Sequence, residues 1–174
     1  MLLTRSLSYS GQIDAWASRQ TESYYCGPAT VKQTLQCING SSSTQSYYAG
    51  KIGTTTAGSD LAPMVNYINT QIGNKRYIIM ENPNVAGLQN YVNYAVANHM
   101  PNICRLRFTA NGWWEYSTDG HYLNTGGWTD YGEYIYLTDP NIKNVISGHS
   151  GRYYTHVNEL YFATQNHPRK QIAY

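Results

Sequence analysis

The hydrophobic period of this chain changes once along its length, and that change limits the folds open to it. Val31, Leu35 and Ile38 recur at i, i+4 and i+7, which predicts a first helix that Asn39-Gly40 stops. Pro28 falls in its first turn, where a missing N–H does no harm. Leu61, Val65, Ile68 and Ile72 predict a second helix over about Ser59–Ile72, ended by Gly73. Val85, Leu88, Val92 and Val96 predict a third over about Asn84–Asn98, bracketed by Pro83 and Pro101. From Ile103 onward the period is two. Cys104, Leu106 and Phe108 alternate, and strands are expected over Ile103–Phe108, His121–Trp128 and Glu133–Asp139. Thr129-Asp130-Tyr131-Gly132 joins the last two as a hairpin turn. Gly151–His156 reads as another strand, leading into a short helix around Val157–Ala163. Helices first and antiparallel strands later indicate an α+β architecture, the helical part packed on the sheet. Without repeats or low-complexity linkers, residues 1–174 read as a single domain.

Composition narrows the function. Charged residues are 13 % of the chain, against a usual share of roughly 25 %. With 41 % hydrophobic residues, this excludes a disordered chain or a coiled coil. The net charge is +2 and the longest basic run is Arg169-Lys170, so no nucleic-acid partner is expected. No apolar stretch approaches 18 residues, so no membrane insertion is expected either. Eighteen tyrosines stand against two phenylalanines, a surface polar without being ionic, which leans towards a secreted or extracellular protein. Met1–Arg5 is too short for a signal peptide, so a leader is expected to be absent from this chain. The chain is expected to act as a monomer.

Three cysteines, Cys26, Cys37 and Cys104, leave one over from any pair. No Cys-x-x-Cys or Cys/His cluster has metal-ligand spacing, so no metal and no other cofactor is expected. Cys26 lies where the first helix begins, and the partial positive charge and unpaired N–H groups there stabilise a thiolate. Gln20, six residues upstream, carries an amide that can donate to an oxyanion together with the Cys26 N–H, with Gln12 a weaker competitor. His121 opens one strand and Asp139 closes the next. A loop centred near Asp130 pairs positions summing to about 260, which sets these two opposite each other, and a one-residue slip separates them. The carboxylate then holds one imidazole nitrogen and leaves the other for Cys26. Asn141 and Asp119 are alternative orienting groups. His149, His156 and His167 read as surface or loop groups, and His99 as a helix C-terminal residue. Trp113 and Trp114 are candidates for lining a peptide-binding cleft, or for core packing. Cys37 and Cys104 are either a disulfide or two free core thiols.

Gln20 followed by Cys26-Gly27-Pro28-Ala29-Thr30 resembles the papain-like peptidases related to the leader peptidases of bacteriocin exporters, cysteine peptidase family thirty-nine. Ile52-Gly53-Thr54-Thr55-Thr56-Ala57-Gly58-Ser59-Asp60 resembles a loop of its stand-alone secreted members. Gly120-His121-Tyr122 and Tyr136-Leu137-Thr138-Asp139-Pro140 resemble the blocks that carry its histidine and aspartate. The resemblance implies a papain-like α+β fold with a cleft between helix and strands. It implies Cys26 as nucleophile, His121 as general base and acid, Asp139 as orienting carboxylate and Gln20 as oxyanion donor. Trp113, Trp114, Gly120 and Tyr122 become candidate substrate-binding residues, and a peptide or protein the substrate. The Cys-Gly-Ser-Cys-Trp signature of papain itself is absent. After His121 the chain runs Tyr122-Leu123-Asn124-Thr125-Gly126-Gly127, more polar than the family's aliphatic strand. The same triad also serves acyltransferases, transglutaminase-like crosslinkers and amidases, and the tyrosine-rich surface also suits a silent binding or toxin-like module.

Overall fold

A computed structural model describes residues 7–141 and 150–174. Among these residues the chain order is β1 (Gly11–Gln12), α1 (Cys26–Asn39), α2 (Gln45–Ile52), α3 (Leu61–Asn69), β2 (Ile79–Glu81), α4 (Val85–Asn98), β3 (Asn102–Phe108), β4 (Thr118–Thr129), β5 (Tyr134–Thr138), β6 (Arg152–His156), α5 (Val157–Asn166) and β7 (Gln171–Ala173). The sheet is antiparallel in the order β2-β7-β3-β4-β5-β6, and β1 pairs with the far end of β4, Gly11 opposite Trp128. The α+β expectation holds, with the helices dealt to both faces of the sheet.

The alternation along β3, β4 and β7 divides the core in two. Ile103, Tyr122 and Ala173 face α1, α2 and α3, packing with Val31, Leu35, Tyr48, Leu61 and Ile68. Their neighbours Cys104, Leu123 and Ile172 face the opposite way, against Leu88 and Val92 of α4 and Leu160 of α5. Each face takes every second residue because strand side chains point alternately. Gly40 ends α1 in the left-handed region, φ 72°, as the Asn39-Gly40 stop predicts. α3 is shorter than expected: it ends at Asn69, and Ile72 packs in the core from the turn beyond. Sequence periodicity missed α2, whose Thr44 side chain caps the Tyr47 N–H, and the two- and three-residue strands β1, β2 and β7.

A buried polar seam fixes α1 against the sheet. Gln33 accepts from the Ser18 N–H at 3.0 Å and donates to Asn124 Oδ1 at 2.8 Å. Asn124 in turn donates to Thr34 Oγ1 and to the Asn102 carbonyl, both at 3.0 Å. Gln33, Thr34 and Asn124 are fully buried, so the seam ties the helix that starts at Cys26 to the strand that carries His121. The polar run after His121 thus has structural uses. A side chain at Gly127 would meet the Gly11 carbonyl at 2.6 Å, so only glycine admits β1 there.

The expected register of His121 and Asp139 needs correction. Asn124 pairs with Thr138 and, beyond a bulge between Thr125 and Gly127, Trp128 pairs with Ile135. Continued outward, the ladder sets Asp139 opposite Leu123, two residues from His121. An offset of two keeps both side chains on one side of the sheet, within diagonal reach. Asp130 and Tyr131 turn the hairpin with φ of 49° and 57°.

Candidate active site

Cys26 is the first residue of α1 and is half-buried. Tyr25 caps the helix without a side-chain hydrogen bond, so the N–H groups of its first turn stay available to the thiol. Gly27 lets the Thr54–Asp60 loop close on this helix end. A Cβ there would stand 2.6 Å from Ser59 Cβ and closer still to its Oγ. Thr54 and Ser59 hydroxyls bond at 2.9 Å, and Tyr122 donates to the Ser59 carbonyl at 3.1 Å, holding that loop beside Cys26.

Three side chains form a line. Cys26 and His121 line one cavity, and the imidazole acts electrostatically on the thiol. His121 Nε2 lies 2.8 Å from Asp139 Oδ1, leaving Nδ1 for the thiol. Asp139 is fully buried and saturated: Oδ1 also accepts from the Asn141 N–H at 2.8 Å, and Oδ2 accepts from the hydroxyls of Tyr116 at 2.8 Å and Tyr153 at 2.9 Å. The imidazole packs edge-on against Phe108 and Tyr116, which fix its plane.

The electrostatics follow from these contacts. Burial pushes the Cys26 thiol up, but the hydrogen bond and charge of His121, with the backbone of Tyr122 and Gly27, outweigh it and hold the thiol below its ordinary 9.0. Burial lowers His121, and Asp139 overcomes this, with Cys26 adding to it, to raise the ring to about 10. Asp139 is pushed up by burial and brought below its ordinary value by His121, Asn141 and Tyr116. The arrangement favours a thiolate beside an imidazolium. The two other thiols are free but inert: burial raises Cys37 to about 11 and pushes Cys104 up as well.

Gln20 sits next to this line. Its N–H bonds the Pro140 carbonyl at 2.9 Å, beside Asp139. Its side-chain amide donates to the carbonyls of Glu22 and Ser23, both at 3.0 Å, so its two amide hydrogens brace the turn before Cys26. The other candidates are dispersed. Asp119 pairs with Arg107 at 2.9 Å, Asn141 reaches Asp139 rather than His121 through its backbone, and Gln12 lies on β1 paired with Gly127. Trp114 is core, stacked on Phe108 at 4.0 Å, and Trp113 packs near Tyr134 and His156. Neither lines the cavity of about 340 Å³ at Cys26, whereas Gly120 and Tyr122 do.

Sequence reasoning passed over Tyr153, the seam residues Gln33 and Asn124, and above all His167. His167, in the turn after α5, is buried and lines the Cys26 cavity, so of its surface-or-loop reading only the loop holds. His156 caps α5, His99 ends α4 in the left-handed region, and His149 lies outside the described residues. Among the described residues no group of His, Cys, Asp and Glu could hold a metal ion.

The Peptidase_C39 like family model matches residues 8–162. No curated protein matches the chain. The fold is similar to that of a C39-like peptidase from Bacillus anthracis, at 12 % identity over 95 % of this chain and 96 % of that one, with a TM-score of 0.65. It is also similar to a double glycine motif protease from an AMS/PCAT transporter, solved with its leader peptide, at 14 % identity, 94 % and 91 % coverage and a TM-score of 0.62. The peptidase domain of Streptococcus ComA, a bifunctional ABC transporter, follows at 13 %, 92 %, 96 % and 0.61. With the family model spanning most of its length, the chain belongs to the Peptidase_C39 like family and is a cysteine peptidase by family.

Proposed function

We propose that the protein hydrolyses peptide bonds with Cys26 as nucleophile, His121 as acid and base, and Asp139 as the group that orients and charges the imidazole. One observation carries this reading: a thiol at a helix start shares a cavity with a histidine whose Nε2 is held at 2.8 Å by a buried carboxylate. The Cys26 thiolate attacks the scissile carbonyl carbon, forming a C–S bond while the carbonyl oxygen takes the electron pair. The His121 Nδ1–H passes its proton to the leaving nitrogen, the C–N bond breaks, and an acyl-thioester remains. His121, now neutral, takes a proton from water, whose oxygen displaces the sulfur and returns the thiolate. The Cys26 N–H at the helix start faces the developing oxyanion in this scheme. Gln20 is its second donor by sharing one amide hydrogen now given to the turn.

A Lys-C peptide pool from a bacterial lysate tests the reading, with products identified by mass spectrometry. Wild type cleaves a defined subset, Cys26→Ala cleaves none, and Gln20→Ala loses about 10²–10³ in kcat. Iodoacetamide at pH 6 labels Cys26 ahead of Cys37 and Cys104. Cleavage that survives Cys26→Ala overturns the mechanism, and an unchanged kcat in Gln20→Ala removes Gln20 from it.

A further inference from the structure

The cavity at Cys26 is one of a series. A cavity of about 240 Å³ behind the Gly53–Asp60 loop shares Gly58, Ser59 and Arg105 with the Cys26 cavity of about 340 Å³. That one shares Asp119 with a cavity of about 420 Å³ bounded by Arg107, Thr109 and Asn166. The Cys26 cavity thus has a neighbour beyond the Gly53–Asp60 loop and another beyond Asp119. Beside the thiol its wall is Gly120, exposed and without a side chain, so a main chain can approach closely.

His167 stands over that stretch. Its Nδ1 accepts the Arg169 N–H at 3.1 Å, so the hydrogen of a neutral ring sits on Nε2. Nε2 points towards Gly120, 3.8 Å from the place a Cβ would occupy, and makes no hydrogen bond among the described residues. Burial, with the guanidinium groups of Arg105, Arg107 and Arg169, lowers the ring to about 4, so it is neutral at ordinary pH. The donor is turned into the Cys26 cavity rather than spent on the protein, and a carbonyl oxygen arriving over Gly120 can take it in place of water.

We propose that His167 is a substrate-binding residue whose Nε2–H donates to a backbone carbonyl of a polypeptide substrate lying in the Cys26 cavity over Gly120. This rests on the peptidase reading above and adds to it a substrate-binding residue outside the line of Cys26, His121 and Asp139.

The peptide of the Lys-C pool that wild type cleaves fastest, resynthesised, is the probe. His167→Phe lowers kcat/KM about tenfold, mainly through KM, and His167→Gln, which keeps an N–H donor, stays within about threefold of wild type. Iodoacetamide labelling of Cys26 is unchanged in both variants. Wild-type kinetics in His167→Phe overturn the proposal alone, and so does a parallel loss of Cys26 labelling, which makes His167 a support of the thiol instead. Wild type that cleaves nothing overturns the peptidase reading and this proposal with it. Imidazole ¹⁵N NMR of the unsubstituted protein tests the donor without a substitution: the Nε2–H tautomer, neutral at pH 6, is expected, and an Nδ1–H tautomer or a charged ring overturns the proposal.

Discussion

Asp139→Asn isolates what a single buried charge does to the thiol. Asparagine keeps the shape of the site. Its Oδ1 still accepts from His121 and from the Asn141 N–H, and its Nδ2 meets the oxygens of Tyr116 and Tyr153, which accept as readily as they donate. Only the charge is lost. Burial alone lowers His121, and Asp139 is the strongest influence that lifts it from 6.5 to about 10. That difference corresponds to about 5 kcal/mol of preference for the protonated ring. Without the carboxylate, burial governs and the ring is neutral at pH 6. The Cys26 thiol then loses its cationic partner and rises towards 9.0 or above, since burial is the largest influence on it. A thiol at its ordinary 9.0 is about one part in a thousand thiolate at pH 6, and the greater nucleophilicity of a more basic sulfur recovers only part of that loss. Alkylation of Cys26 by iodoacetamide at pH 6 is expected to fall by up to about a hundredfold, and its pH profile to move towards pH 9. Mass spectrometry assigns the label, and a cooperative thermal melt establishes that the variant is folded. A folded Asp139→Asn protein alkylated within threefold of the wild-type rate at pH 6 refutes the account, because the carboxylate then does not charge the pair.

Three further outcomes follow from the same contacts. Gly27→Ala drives a Cβ into Ser59 and costs about 1–3 kcal/mol in urea unfolding, and Ser59→Gly in the same chain recovers most of it; a fully stable Gly27→Ala protein contradicts the close approach. Asn124→Leu takes the partner from the Thr34 hydroxyl and the Asn102 carbonyl and leaves the Gln33 amide only the Thr138 carbonyl, and costs about 2–4 kcal/mol by urea unfolding. The pH dependence of stability carries the mark of the ion pair. His121, raised, contributes stability fully present below 6.5 and lost as pH rises through about 10, whereas Cys26, lowered, contributes stability present above 9.0 and lost as pH falls through its own lowered value. Where both titrate the two slopes oppose each other, so Cys26→Ala, which keeps His121 raised by Asp139 but loses the opposing thiol, loses stability more steeply than wild type as pH rises towards 9.0, and equal slopes contradict the thiolate–imidazolium pair.

Local chemistry carried most of the helical part. The i, i+4 recurrence of Val31, Leu35 and Ile38 with Asn39-Gly40 behind it needs no other segment to specify α1, and a cysteine at its first turn is a local fact too. The tyrosine hydroxyls on Asp139 were illegible, because Tyr116 and Tyr153 are 23 and 14 residues away from it and nothing local marks either as a donor. The strand pairing shows the limit most clearly. A hairpin of regular pitch sets His121 opposite Asp139, but the bulge near Gly126 and the positive-φ turn at Asp130-Tyr131 move the ladder by two residues, and only cross-strand packing decides that. His167 looked like an ordinary loop histidine because its neighbours in sequence are Pro168 and Arg169, while its neighbours in space are Gly120, Arg105 and Cys26. Periodicity and helix-end chemistry act over a few residues, so the chain's own order determined the elements and the nucleophile. The line from thiol to imidazole to carboxylate, and the donor poised over Gly120, were decided by contacts between residues some 20 to 140 positions apart, which only the folded sheet and its buried polar seam bring together.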